Sequence, residues 1–301
     1  MSSRNGKGIT LTDLIVGAAL CVILMVAMVP AAGVLDDARN KAACAHNLKL
    51  IAAAMSTYSN DNNGKYPRTT RDYEHPDNLV AYTSVKCTNP FDEKNGMQVN
   101  DVTAGLYLLI RVEKLDPAVF ICPSTKAKAL TFGKGAGAIA EKTTDISNFP
   151  SGDYLSYSGS CPFPGRIALT TQWVWDSTIT TDGPLVSDMN PGSDAVLHVT
   201  ARSTAAELAK ANSLNHGGTG QNVLYGDYHV EFTTTPFCGI KDDTGARDNI
   251  FSRSTVQHAI HNAGDKPGKE DLKGDPIFGP PTDAYDSVML PTANYKAAKA
   301  K

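Results

Sequence analysis

A run of twenty-two residues without a charge, from Leu14 to Leu35, constrains this chain more than any other feature. A run of this length is sufficient for an α-helix to cross a lipid bilayer. A short basic leader, residues 1–8, precedes it and ends in Gly8. A secretory signal is cleaved after its apolar region, whereas this glycine lies before it. We therefore predict cleavage after Gly8 and a mature chain that begins at Ile9 and keeps the apolar segment.

The residues around that glycine, Gly8-Ile9-Thr10-Leu11-Thr12-Asp13, resemble the N-terminus of type IV prepilins, in which Gly and Phe-Thr-Leu-x-Glu precede a membrane segment. Ile9 replaces the Phe of that family and Asp13 replaces its Glu. Pro30 lies where pilins commonly have a helix-kinking proline. The resemblance implies that Gly8, Ile9 and Asp13 act in processing, and that Asp13 and Pro30 act in assembly. In the family, that acid neutralises the N-terminal ammonium of a neighbouring subunit. A plain single-pass anchor with Asp13 at the interface stays an alternative.

Composition bounds the classes of function. Of the 301 residues 20% are charged, 25 are Gly and 17 are Pro, and the net charge is −3. These values are typical of a loop-rich exported domain. A nucleic-acid partner is not expected, because the sequence has no basic patch.

The six cysteines divide into three groups. Cys21 lies in the apolar run, and Cys44 lies on the predicted long helix, where we expect it to stay unpaired. The remaining four are the candidates for disulfides in an oxidising compartment: Cys87, Cys122, Cys161 and Cys238. No Cys-x-x-Cys is present, so the spacing argues against zinc.

After Pro30 the pattern changes from apolar to amphipathic, with Leu48, Ile51, Met55 and Tyr58 at helical spacing. The sequence predicts one long helix over residues 9–60, a globular head over 61–238, and an irregular C-terminal extension over 239–301. A short anchor with a flexible stalk fits less well. The predicted fold class is α+β, with the helix packed on an antiparallel sheet.

Shorter elements are predicted within the head. A helix is expected at residues 104–110, and strands at 119–122, 154–158, 167–171 and 184–187. The clearest β signal is a hairpin of residues 221–225 and 228–232. Its Gly226-Asp227 loop predicts a positive φ at Gly226.

A second resemblance covers residues 8 to about 232. The sequence is similar to pilin-like proteins with a C-terminal His…Asp-Gly-His-Val hairpin. The segments that carry the similarity are Cys44–Lys49, Phe120–Ser124, Asn215–Gly218 and Asn222–Val230. Tyr228 stands where that family has Gly, which suggests a shifted turn around Gly226.

The resemblance implies a structural subunit of a type IV pilus-like or type II secretion pseudopilus filament, and not an enzyme. Its partners would be further copies of itself, other pilin-like subunits, a prepilin peptidase and an inner-membrane assembly platform, with membrane lipid before assembly. The expected location is the bacterial inner membrane, with the head in the periplasm, or a cell-surface or periplasmic filament.

The alternative is a membrane-anchored periplasmic metal-binding protein or hydrolase that uses His216, Asp227 and His229. Asp188 and His198 could join them in space. Without a metal, Asp227 is explained by the turn and the two histidines by a loop and a strand. No cofactor is required, although calcium could bind oxygen ligands from five aspartates: Asp182, Asp188, Asp194, Asp242 and Asp243. His258 and His261, at helical spacing, are weaker metal candidates.

Overall fold

The computed structural model describes residues 11–87, 89–92, 98–166, 168–253 and 277–295. The leader, the predicted cleavage site after Gly8, His258, His261 and the last six residues lie outside them. The chain divides into two units, residues 1–40 and residues 41–301.

Helix α1, Leu11–Asp61, includes Asp13 and Pro30; its residues up to 40 belong to the first unit and its residues from 41 to the second. In the second unit its predicted apolar stripe is confirmed for Leu48, Ile51 and Met55, which are buried, while Tyr58 is partly buried and packs against the same core. The helix ends where Asn63 and Gly64 adopt positive φ angles of 54° and 80°, which a continuing helix does not allow.

The predicted location of the chain needs correction. Within the described residues, no helix combines the length and the apolar character that crossing a bilayer requires. This finding contradicts the single-pass inner-membrane anchor predicted from the uncharged run.

The second unit contains an antiparallel sheet of five strands: β1 Tyr157–Ser160, β2 Pro184–Asp188, β3 Gln221–Tyr225, β4 Val230–Thr233 and β7 Met289–Leu290. Their order in the sheet is β4-β3-β2-β1-β7. Strands β5, Phe237–Lys241, and β6, Arg247–Asn249, pair separately. Two short helices, α2 Ala104–Arg111 and α3 Ala205–Ala211, complete the α+β arrangement. The α+β class, the antiparallel sheet and the helix at 104–110 are therefore confirmed.

Side chains alternate across strand β3, as its sequence predicts. Leu224 joins the hydrophobic core that contains Leu48, Ile51 and Met55 of α1. Val223 and Tyr225 join a second core, with Phe237, Phe251 and Met289. Apolar residues thus cover both faces of the sheet, which explains why all five residues of β3 are buried.

Two predicted strands, at 119–122 and 167–171, are not formed in the described part of the chain, and 3-10 helices occupy part of each. Residues Pro117–Phe120 form one because the side chain of Asp116 accepts a hydrogen bond from the amide of Ala118, and proline at the first position favours helical φ. Ala168–Thr170 form another. The strand expected at 154–158 begins only at Tyr157, after a 3-10 helix at Gly152–Tyr154.

The C-terminal extension is also less irregular than predicted. The expected boundary at Cys238 falls inside β5, and Met289–Leu290 forms an edge strand of the main sheet. Leu290 and Met289 are fully buried. Burial of these two residues holds β7 in place, although the strand is too short to show a β pattern in the sequence.

The β3–β4 hairpin is confirmed, but the prediction for its turn is wrong. Gly226 does not take a positive φ; Tyr228 does, at 67°. The Tyr228 amide donates to the Tyr225 carbonyl at 2.8 Å, and the Tyr225 amide donates to the His229 carbonyl at 3.0 Å. This is a three-residue loop whose last residue is left-handed. Gly226 is required for another reason, since an added Cβ would lie 2.4 Å from the carbonyl oxygen of Thr180.

Candidate functional site

His216 lies in the interior of the second unit, with its side chain fully buried. It is the last residue of a 3-10 helix, Leu214–His216, that Ser213 caps by accepting from the Asn215 amide. Gly217 ends this helix with a left-handed φ of 63°. The loop conformation therefore fixes the position of the His216 Cα–Cβ bond, and the contacts of the ring set its orientation.

Three other reactive side chains surround His216. Cys44 comes from α1, Cys122 follows the 3-10 helix Pro117–Phe120, and Asp188 is the last residue of β2; all three are fully buried. The Nε2 atom of His216 lies 3.2 Å from Oδ2 of Asp188 and 3.8 Å from Sγ of Cys122. One ligand atom from each of the four residues lies within 4.8 Å of the other three. We call these four residues the Cys/His/Asp cluster, and it is a group that could hold a metal ion.

Amide donors hold the carboxylate of Asp188 in place. Its Oδ2 accepts from the backbone amide of Asn222 at 2.6 Å and from Nδ2 of Asn222 at 3.1 Å. Its Oδ1 accepts from Nδ2 of Asn215 at 3.1 Å. A buried carboxylate is costly unless such donors stabilise it. These contacts compensate the charge and orient the side chain toward His216.

Further contacts position the other members of the cluster. Oγ of Ser124 lies 3.4 Å from Nδ1 of His216, on the side of the ring opposite to Asp188. Nδ2 of Asn47, on α1, donates to the carbonyl of Ile121 at 2.9 Å and thereby holds the Cys122 segment against the helix.

The cysteine pairing differs from the prediction. Cys44, which was expected to stay unpaired, lies at disulfide distance from Cys122, with a Cα–Cα distance of 5.4 Å. Cys87, Cys161 and Cys238, expected to supply bridges, have no cysteine partner among the described residues. The packing of α1 causes the difference, because it places Cys44 in the core and not at an exposed position.

The predicted set of His216, Asp227 and His229 is not assembled as a metal site. Asp227 and His229 lie at the tip of the β3–β4 hairpin, where both are about half exposed, whereas the His216 side chain is fully buried. The His229 ring contacts Asp227 through Nδ1 and stacks on Tyr225 at 4.5 Å. Hydrogen bonds from the side chain and then the backbone amide of His229 lower the pKa of Asp227.

Most of the calcium candidates make other contacts or are exposed. Asp182 forms an ion pair with Arg247, and Asp243 accepts a hydrogen bond from the Tyr285 hydroxyl. Asp242 accepts from the amide and the hydroxyl of Thr244 in a turn. Asp194 and His198 are exposed, so of the proposed additional ligands only Asp188 joins His216.

The cluster does not have the geometry of a cysteine–histidine–aspartate catalytic triad. In such a triad the carboxylate contacts one ring nitrogen and the nucleophile contacts the other. Here Asp188 and Cys122 both approach Nε2 of His216, while Nδ1 faces Ser124. Cys44 also lies at disulfide distance from the sulfur that would attack. The arrangement suits a disulfide or a metal ligand set better than nucleophilic catalysis.

Sequence reasoning did not assign Cys44 or Cys122 to the same site as His216. A signal was nevertheless present, because the four segments that carry the second resemblance meet at this point. They supply Cys44 and Asn47, Cys122 and Ser124, Asn215 and His216, and Asn222. When several segments resemble one family and none has a function of its own, they are candidates for forming one site together in the folded chain.

In comparisons with known proteins, no family model, no curated protein and no solved structure matches this chain.

Proposed function

We propose that this protein is the structural subunit of a pilin-like filament, in which the N-terminal part of α1 packs against α1 of neighbouring copies. The resemblance to prepilins motivates the proposal, and one structural observation carries it. The start of α1 presents five large apolar side chains that are between 55% and 77% exposed: Leu11, Leu14, Ile15, Val16 and Leu20.

These side chains favour self-association for energetic reasons. Full burial of one large aliphatic side chain stabilises a complex by about 1.5–3 kcal/mol before the cost of association. Contiguous exposed apolar residues in a monomer commonly mark an interaction surface. Every copy carries the same surface, so a second copy is the partner with matching chemistry.

Asp13 gives this association a specific contact. It lies within the first turn of α1 and is the last charged residue before Asp36. If cleavage occurs after Gly8, the new ammonium of Ile9 in one copy pairs with Asp13 of another. A carboxylate among apolar helices needs such a partner.

The test is to express the full chain together with a prepilin peptidase and to measure its mass and its assembly. We expect an N-terminus at Ile9, carrying a methyl group, and filaments visible by electron microscopy. An uncut chain that stays monomeric with the active peptidase present would contradict the proposal.

A matched pair of substitutions identifies the surface. Leu20→Gln should lower filament yield, because Leu20 belongs to the apolar surface of α1. Leu169→Gln is the control, since Leu169 is 51% exposed against 55% for Leu20 but lies in the second unit. Equal yields from the two variants would remove the N-terminal part of α1 from the interface.

A further inference from the structure

The Cys/His/Asp cluster has an environment that differs from that of the other buried cysteines. Cys161 and Cys238 are buried thiols whose neighbours are backbone carbonyls, of Phe163 and Pro236, each at 3.6 Å. Burial raises the pKa of each of these two thiols to about 12. Cys122 instead contacts the imidazole of His216. A disulfide needs no imidazole or carboxylate beside it, so the cluster calls for a second explanation.

The donor set is that of a zinc site. Two cysteine sulfurs, one imidazole nitrogen and one carboxylate oxygen are all zinc ligands, and structural zinc sites have four protein ligands. Two sulfurs disfavour calcium and magnesium, which prefer oxygen ligands only. Full burial of all four side chains leaves no open position for water. The set therefore suits a closed structural site and not a catalytic one.

The distances within the cluster agree with this assignment. Tetrahedral zinc bond lengths place a sulfur and a nitrogen ligand about 3.5 Å apart, a nitrogen and an oxygen about 3.3 Å apart, and two sulfurs about 3.8 Å apart. The observed distances are 3.8 Å from Cys122 to His216 and 3.2 Å from His216 to Asp188. Only Cys44 and Cys122 lie closer, at disulfide distance.

The residues around the cluster already provide the outer contacts that zinc ligands need. Ser124 faces the ring nitrogen of His216 that would not bind the metal. Amides of Asn215 and Asn222 donate to Asp188. Two thiolates, one carboxylate and Zn²⁺ give a net charge of −1, and these donors stabilise it. Asn215, which donates to Asp188, also lines a cavity of about 370 Å³ together with Thr125 and Ser156.

We propose that the cluster is a redox-controlled zinc site, occupied when Cys44 and Cys122 are reduced and empty when they form a disulfide. A dithiol reductant transfers two electrons and two protons to the disulfide and becomes a cyclic disulfide itself. The two thiols then lose their protons as Zn²⁺ binds both sulfurs, Nε2 of neutral His216 and one oxygen of Asp188. An oxidant that carries a disulfide takes the two electrons back, joins the sulfurs and releases Zn²⁺. This inference does not depend on filament assembly.

The experiment uses the full chain in both redox states. One sample is oxidised; the other is reduced with dithiothreitol, freed of it by gel filtration under nitrogen, and supplied with zinc chloride. After removal of unbound metal, we expect one zinc per reduced chain and none per oxidised chain. Equal amounts of bound zinc in both states would overturn the proposal. A reduced chain that stays folded but binds none of the supplied zinc would also overturn it, and so would a reduced chain that unfolds although zinc is present.

Substitutions separate ligation from folding. His216→Gln should abolish zinc binding, yet the oxidised variant should keep the Cys44–Cys122 bond, which thiol titration under denaturing conditions reports. His229→Gln and Cys238→Ser are the controls, and both should bind zinc as the unsubstituted chain does. Cobalt(II) in place of zinc should give a thiolate charge-transfer absorption that Cys122→Ser weakens. Zinc retained by His216→Gln, or a cobalt spectrum without thiolate absorption, would refute the ligand set.

Discussion

Two of the histidine–aspartate contacts in the second unit, His229–Asp227 and His216–Asp188, differ in almost every physical respect. His229 and Asp227 are two residues apart in sequence and lie about half exposed at the tip of a hairpin. His216 and Asp188 come from different elements and are fully buried beside two cysteines. The first contact follows from the turn alone, because its residues are neighbours in the chain. The second requires the whole fold.

The comparison shows which of the two contacts deserves a functional interpretation. An exposed ion pair contributes little to stability, and its residues meet in any chain with this turn. A buried carboxylate is retained only where donors compensate its charge. Asn215 and Asn222 supply such donors to Asp188. The fold brings His216 and Asp188 together despite the cost of burying a carboxylate. Such residues are better candidates for a functional site than residues that meet because they are neighbours in sequence.

The same substitution at the two aspartates should separate the sites most widely. Asp188→Ala leaves buried donors of Asn215 and Asn222 without an acceptor, and we expect a loss of about 3–5 kcal/mol in the free energy of unfolding. Asp227→Ala removes an exposed contact and a turn hydrogen bond, and should cost about 1 kcal/mol or less. Denaturant unfolding of both oxidised variants, with a chelator present, measures the difference. Similar losses in the two variants would mean that the buried contact contributes no more to stability than the exposed one.

A glycine substitution tests what holds the hairpin tip in place. Gly226→Ala would place its Cβ 2.4 Å from the carbonyl oxygen of Thr180, so the backbone must move. Such overpacking costs about 1–3 kcal/mol. Gly135→Ala is the control, because nothing lies within 4 Å of its added Cβ; its effect should stay within about 0.5 kcal/mol. His229→Ala should have an effect between the two. If His229→Ala lowers the free energy of unfolding by more than Gly226→Ala does in the same assay, the His229–Asp227 contact anchors the hairpin tip.

Sequence patterns predicted the elements whose signals are local. The amphipathic stripe from Leu48 to Met55, helix α2 and the alternation of β3 all follow from periods of 3.6 or 2 residues. The turn prediction failed because position in the loop, and not residue type, sets φ there: Tyr228 accepts a left-handed φ of 67°, and its hydroxyl lies 3.2 Å from that of Tyr66. Strand β7 has only two residues, too few for any pattern.

The sequence predicts which residue types the candidate site uses, but not which individual residues form it. The sequence suggests His216 and Asp188 as members of one site, whereas it predicts that Cys44 stays unpaired and leaves the partner of Cys122 open. Cys44 and Cys122 are 78 residues apart in sequence, and their contact depends on how α1 packs. Spacing rules for metal motifs describe ligands within one short segment, so they do not address a site whose ligands come from separate elements.

The smallest expected effect is a pH dependence at the hairpin tip. The side-chain hydrogen bond from His229, and then that of its backbone amide, lower the pKa of Asp227 below its ordinary value. Because the folded-state pKa lies below the unfolded value of about 3.9, the contribution to stability is complete above that pH. It is lost as pH falls through the folded-state pKa.

His229→Ala should raise the pKa of Asp227 toward its ordinary value in a carboxyl NMR titration of the full chain. It should also flatten the acid limb of the stability curve by less than about 1 kcal/mol, since the pair is exposed. The backbone hydrogen bond survives this substitution, so part of the shift should remain. A pKa of Asp227 that does not move would show that the turn alone lowers it and that His229 is only a neighbour.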